Sequence, residues 1–86
     1  MDTIELLRAF LSTELSIDVD ILTSGANEDL IGLGLIDSLA VLKLVSFMEE
    51  RFDIRVLDED ISARNFRSLA TMEAFVEFKC AEHSKS

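Results

Sequence analysis

Apolar residues recur every three or four positions in three separate stretches of this chain, and no stretch alternates with period two. That pattern confines the fold to packed helices. Ile4, Leu7, Phe10, Leu11 and Leu15 mark a first helix over residues 3–15, capped by Asp2 or Thr3, with Glu5 in its first turn. Leu39, Leu42, Leu44 or Val45, Met48 and Phe52 mark one face of a second helix over residues 38–52. Leu69, Met72, Phe75, Val76 and Cys80 mark the inward face of a last helix, about residues 69–81, opened by Ser68. Between these two, Asp58 or Asp60 caps a short helix over residues 59–64, and Asn65–Arg67 makes a turn. The expected fold is all-α: a small four-helix bundle of three longer helices and one short one.

The segment over residues 16–37 reads as a long loop between the first and second helices. Its "TSGANED" stretch is polar and turn-rich. Its apolar residues, among them Ile17, Val19, Leu22, Leu30, Leu33 and Leu35, are expected to tie it over the core. A loop this long in a compact domain is functional or carries short helical turns of its own.

The chain has 86 residues, which sets one domain over residues 1–86, with 82–86 as a frayed tail. A domain of this size buries roughly 60–65% of the surface of its unfolded chain, enough for one core and no deep cleft. Seventeen acids against eight bases give a net charge of −9. Such a surface repels nucleic-acid phosphates and anionic headgroups and favours basic protein partners. A single cysteine, Cys80, rules out an internal disulfide and fits a reducing, cytoplasmic setting. Cys80 and His83 are too few ligands for a zinc site, so no metal is expected. "DEDISARNFRS" fails as a calcium loop: its sixth position is Ala63 and its twelfth, Leu69, cannot ligate. Asp2 and Glu5, with no basic start before an apolar core, lead to no signal peptide being expected in residues 1–15, and Asp37, Lys43 and two glycines break residues 30–48 as a membrane span.

The chemistry concentrates in "GLGLIDSLAVLKL", residues 32–44. Asp37 and Ser38 are the one polar pair between a glycine loop and an apolar helix. Both are favoured helix caps, worth about 1 kcal/mol, so Ser38 acting only as an N-cap of a small acidic interaction domain is one reading. Against it, Gly32 and Gly34 leave the approach sterically open, while Leu35 and Ile36 pin the pair at the surface. A hydroxyl at a helix N-terminus sits in the positive end of the helix dipole, where an esterified phosphate is stabilised. No base and orienter accompany this serine, so it reads as a residue acted upon rather than a nucleophile. "GLGLID" lacks the third glycine of a dinucleotide fingerprint.

"GLIDSL", followed by an amphipathic helix ending in "EERFDI", resembles the phosphopantetheine attachment motif of acyl and peptidyl carrier proteins. The resemblance extends over nearly the whole chain, to the acidic turn at residues 58–60 and the last helix opened by "SL". It implies a non-catalytic carrier. Ser38 would bear 4′-phosphopantetheine through a phosphodiester, installed from coenzyme A by a magnesium-dependent phosphopantetheinyl transferase. The arm's thiol would hold an acyl or aminoacyl thioester and deliver it to partner enzymes, raising its effective concentration there. Asp37 matches the family's acid before the serine, and Leu39 the apolar residue after it.

The resemblance further implies that the second helix and the following acidic turn dock on basic patches of a loading enzyme and of downstream synthases or transferases. Val41, Phe47, Glu49, Glu50, Asp58, Glu59 and Asp60 are the contacts expected here, with Ala40 and Lys43 outward or near the margin. Contacts of this kind are small, fast and salt-sensitive. Fatty-acid carriers usually have acids just after the motif, where this chain has Ala40 and Lys43, and Ile36 replaces a small residue. These departures point to a discrete carrier of a specialised pathway. Polyketide and nonribosomal-peptide systems, the D-alanyl carrier of cell-wall modification, and carriers of short hydroxyacyl units are the candidates. A free-standing monomer is expected.

Overall fold

The structure, a computed structural model, describes residues 2–84, with side chains as far as residue 82. Every regular element among them is helical: α1 (Thr3–Thr13), α2 (Val19–Ser24), α3 (Ser38–Phe52), a 3-10 turn at Asp58–Asp60, α4 (Ala63–Phe66) and α5 (Leu69–Ser84). Three long helices and their connections enclose one core, as the apolar periodicity requires. Helix α5 packs against α1, α3 and α4. Leu7, Leu11, Leu44, Met48, Phe66 and Met72 are fully buried at its centre.

The termini of the elements differ from the sequence expectation for identifiable reasons. Helix α1 stops at Thr13 rather than residue 15 because Ser16 turns left-handed (φ 55°). The N–H of Ile17 then donates back to the Leu11 carbonyl at 3.1 Å, closing the helix end. Asp2 occupies the N-cap position, yet its carboxylate makes no capping hydrogen bond. Helix α5 continues to Ser84, beyond the expected end at residue 81, so residues 82–84 are helical. The side chain of His83 and residues 85–86 lie outside the described residues. Ser68 does cap α5: its Oγ accepts from the Thr71 N–H at 3.2 Å, while the Ser68 N–H donates to Thr71 Oγ1 at 3.1 Å.

The long connection carries its own helix. Asp18 caps α2 by accepting from the Asp20 N–H at 2.9 Å. Beyond it, the Leu30 N–H donates to the Arg67 carbonyl at 2.7 Å and the Ala70 N–H to the Ala26 carbonyl at 2.9 Å. These two bonds fasten the loop to the α4–α5 junction. Ile17, Leu22, Leu30 and Ile36 are buried as anchors, whereas Val19 and Leu33 stand exposed.

The short third helix is not one element over residues 59–64. The 3-10 turn and α4 are separated by Ile61 and Ser62, and Asn65 and Phe66 belong to α4 rather than to a turn. Asp60 explains the break. Its carboxylate accepts from the Leu57 N–H at 2.9 Å and pairs with Lys79 of α5 at 2.7 Å, while Asn65 Nδ2 donates to its carbonyl at 2.8 Å. The side chain faces back along the chain and toward α5, so it opens the 3-10 turn and caps no following helix.

Candidate functional site

Helix α3 begins where the sequence places the polar pair, but the two residues divide the work. Asp37 is the N-cap, in extended backbone, and its Oδ1 accepts from the Ala40 N–H at 2.9 Å. Ser38 is the first helical residue and is exposed. Its hydroxyl makes no hydrogen bond to the protein among the described residues. The reading of Ser38 as an N-cap is therefore corrected: Asp37 has that role and leaves the serine hydroxyl outward at the positive helix end.

The glycine loop sets this geometry. Gly34 takes a left-handed φ of 77°, a conformation that costs an L side chain roughly 1–2 kcal/mol. Gly32 approaches Asp29 so closely that an added Cβ would lie 2.5 Å from its carboxylate, whose other oxygen accepts the Gly32 N–H at 2.9 Å. The Leu35 N–H then donates to the Leu30 carbonyl at 2.9 Å, and buried Ile36 delivers the chain to Asp37.

The inward stripe of α3 is Ala40, Leu44 and Met48, spaced four apart. Leu39 and Leu42, expected inward, are 61% and 57% exposed. Nine of the helix's fifteen residues are apolar, so periodicity alone left two stripes open, and packing into the core selects Ala40, Leu44 and Met48. Ala40 is accordingly core rather than surface, as is Ile36. Of the departures noted after the motif, Lys43 is the one on the exposed face.

A groove of about 500 Å³ opens beside Ser38. Asp37 and Ser38 stand on one side with Ile36, Val41 and Leu42, and Ile61, Ser62 and Ala63 close the other. This second wall was not singled out in the sequence. Its signal was an isoleucine left 37% exposed in the link between two short helical turns, which no periodicity marks. A second groove of about 490 Å³ lies on the other side of Leu42, lined by Phe10, Lys43, Phe47 and Glu50. Leu42 is thus the ridge between them.

The expected contact residues fall into two groups. Glu50, Asp58 and Glu59 are exposed. Val41 and Phe47 are half-buried, and the Phe47 ring stacks on Phe10 at 4.3 Å and meets Phe52 edge-on at 5.9 Å. Glu49 accepts from the Val56 N–H at 2.9 Å, and Asp60 is held by Leu57 and Lys79. Glu49 and Asp60 therefore brace the α3–α4 connection as well as contributing charge.

The fold and this site define a class: a compact helical bundle that presents an exposed serine hydroxyl, unbonded among the described residues, on the first turn of its 15-residue helix α3 beside an apolar groove. The family described as "Phosphopantetheine attachment site" matches residues 5–76, and the chain belongs to that family of acyl and peptidyl carrier proteins. Its domain is the attachment site for covalent 4′-phosphopantetheine, on which carriers hold acyl groups. No curated protein matches the chain. No helix among the described residues is long and apolar enough to cross a membrane.

Proposed function

We propose that Ser38 is the attachment residue and that the chain serves a specialised, cytoplasmic biosynthetic pathway as a non-catalytic carrier. The exposed, unbonded Ser38 hydroxyl on the first turn of α3 carries this reading. The fit to the arm is chemical. A phosphodiester at that position meets the positive end of a 15-residue helix, and the neighbouring groove offers apolar walls to a flexible chain. When bound, the arm supplies a thiol for thioester exchange. The protein's part is to hold its root fixed and to offer a docking face.

That face centres on Leu39 and Leu42, with Lys43, Phe47 and Glu50 along α3 and Asp58 and Glu59 beyond it. Exposed leucines flanking the serine support docking by a partner with a matching apolar recess, and the acids support steering toward basic surfaces. The partners are a phosphopantetheinyl transferase, an enzyme that loads the acyl or aminoacyl group, and one that removes it. The specialised-pathway reading now rests on Lys43 and the two leucines, since Ala40 and Ile36 lie in the core. Polyketide- or nonribosomal-peptide-type assembly fits a recognition helix of that character.

Intact-protein mass spectrometry tests the attachment. The chain is incubated with coenzyme A, magnesium and a broad-specificity phosphopantetheinyl transferase, beside a Ser38→Ala control. A gain of one phosphopantetheine, absent from the control, is expected. A gain retained in the control would move the attachment off Ser38.

A further inference from the structure

The chain entering α3 hangs from one closed turn, residues 29–35. Asp29 opens it: its carbonyl accepts from the Leu33 N–H at 2.9 Å, and its Oδ1 from the Gly32 N–H at 2.9 Å. Gly34, left-handed at φ 77°, ends it. There the Gly34 N–H donates to the Ile31 carbonyl at 3.0 Å and the Leu35 N–H to the Leu30 carbonyl at 2.9 Å. The turn is anchored at buried Leu30, whose N–H donates to the Arg67 carbonyl at 2.7 Å. The same Leu30 carbonyl also accepts from the Ile36 N–H at 3.3 Å, and Asp37 and Ser38 follow directly.

Within this turn one bond comes from a side chain, the Asp29 carboxylate, which is exposed and has no ion pair among the described residues. Gly32 belongs to the same device. An added Cβ there would lie 2.5 Å from the other carboxylate oxygen, so the acid would have to swing off the Gly32 N–H. Gly32 has no positive φ, so a methyl at this position acts through Asp29. Attachment forms the Ser38 Oγ–P bond and breaks the pyrophosphate P–O bond of coenzyme A. An adenosine bisphosphate leaves, and the hydroxyl proton passes to a base of the transferase or to solvent. Such a displacement is sensitive to the placement of the attacking oxygen, and Ser38 is the first residue of α3, where helices fray. We propose that Asp29 is a positioning residue for this step: by capping the turn it fixes where Ser38 stands relative to the face of α3 that a transferase grips. The inference rests on attachment at Ser38. It goes beyond that attachment by giving a residue outside α3 a role in the reaction.

The test is steady-state modification with coenzyme A, magnesium and a broad-specificity phosphopantetheinyl transferase, after the wild-type mass gain is verified. It is run at a temperature where circular dichroism shows every variant folded. Asp29→Ala is expected to lower kcat about threefold or more while KM for the chain stays within about twofold, since Leu39, Leu42 and Glu50 are untouched. Asp29→Asn keeps an oxygen for the Gly32 N–H and should keep the wild-type kcat. Gly32→Ala should be as slow as Asp29→Ala. The double variant should be no slower than either, because the methyl then has no carboxylate to displace. A wild-type kcat in Asp29→Ala, or a double variant slowed by the product of the single effects, would overturn the assignment. So would an Asp29→Asn variant as slow as Asp29→Ala, which would assign the effect to charge. A wild type that gains no arm, or a Ser38→Ala variant that gains one, would instead remove attachment at Ser38, and this inference with it.

Discussion

Asp37 and Ser38 are adjacent, both polar and both exposed, yet the structure assigns them opposite sensitivities. Replacing Asp37 with Ala deletes the hydrogen bond to the Ala40 N–H at 2.9 Å, one of the donors at the start of α3 that no helical carbonyl can satisfy. Loss of such a cap costs about 1 kcal/mol, within a range of about 0.5–2. In a domain of this length that lowers the melting temperature by about 4–8 °C. Replacing Ser38 with Ala deletes a hydroxyl with no partner in the protein, at a helical position where Ala is the better helix former. The expected change is within about 0.5 kcal/mol and of either sign. Asp37→Asn separates the cap from the charge: an amide oxygen caps as well as a carboxylate, so stability should follow the wild type. The assay is thermal unfolding followed by circular dichroism at neutral pH, paired with transferase modification read by mass. Ser38→Ala should melt like the wild type and accept no arm. Asp37→Ala should melt early, and Asp37→Asn should melt normally but accept the arm more slowly if the acid faces the transferase's metal, as the family resemblance implies. A Ser38→Ala variant that melts as early as Asp37→Ala would refute the division of roles.

Other consequences follow from the same geometry. The Lys79 ammonium bonded to Asp60 holds that carboxyl below its ordinary value of 3.8, and the bonded Asp60 raises Lys79 above its ordinary 10.5. The Asp60 contribution to stability is complete above pH 3.8 and is lost as pH falls through the lowered folded value; the Lys79 contribution is complete below pH 10.5 and is lost as pH rises through the raised one. Asp60→Asn should flatten both flanks of the stability–pH profile relative to wild type, with about 1 kcal/mol or less lost at neutral pH in urea titrations. Phe66, fully buried against Phe75 with ring centroids 5.8 Å apart, should cost about 3–5 kcal/mol when replaced by Ala, enough to leave much of this small domain unfolded by near-equilibrium denaturation. Gly34→Ala should cost roughly 1–2 kcal/mol from its φ of 77° alone, since open space surrounds the added methyl; a melting temperature equal to wild type would show that the loop relaxes instead. Leu42→Ala, at 57% exposure, should leave stability within about 0.5 kcal/mol while slowing thioester transfer by partner enzymes.

The helical class, the single core and the start of α3 were legible because each rests on local sequence. Leu7 and Leu11 of α1 and Met72 and Val76 of α5 lie on the faces their spacing marks. An acid before an apolar run announces a helix start wherever it falls. The inward face of α3 was not legible for a physical reason: with apolar residues on nearly every side, the choice between Leu39 with Leu42 and Ala40 with Leu44 depends on which stripe packs into the core. The link between α3 and α4 failed in another way. Asp60 reads as a helix cap from its own neighbours, but its partner Lys79 is nineteen positions away on another element, and that long-range pair overrides the local preference.

Both misread features bear on function. A helix whose sequence is apolar on both sides has more greasy surface than one core can absorb, and the surplus here emerges as Leu39 and Leu42 around Ser38. In an ordinary bundle such residues would be a liability for association. With the arm attached at Ser38 as proposed, they would give each partner an apolar contact that registers the docking, while the net charge of −9 sets copies of the chain to repel one another. The link fixed by Asp60 and Lys79 does the complementary job on the opposite wall, holding Ile61 and Ser62 at the groove without covering the leucines. Charge reversal at Lys79 should therefore disturb the groove wall, seen as shifted amide resonances of Ile61 and Ser62, before it alters partner docking through Leu42. The reverse order would place the clasp in the docking face itself.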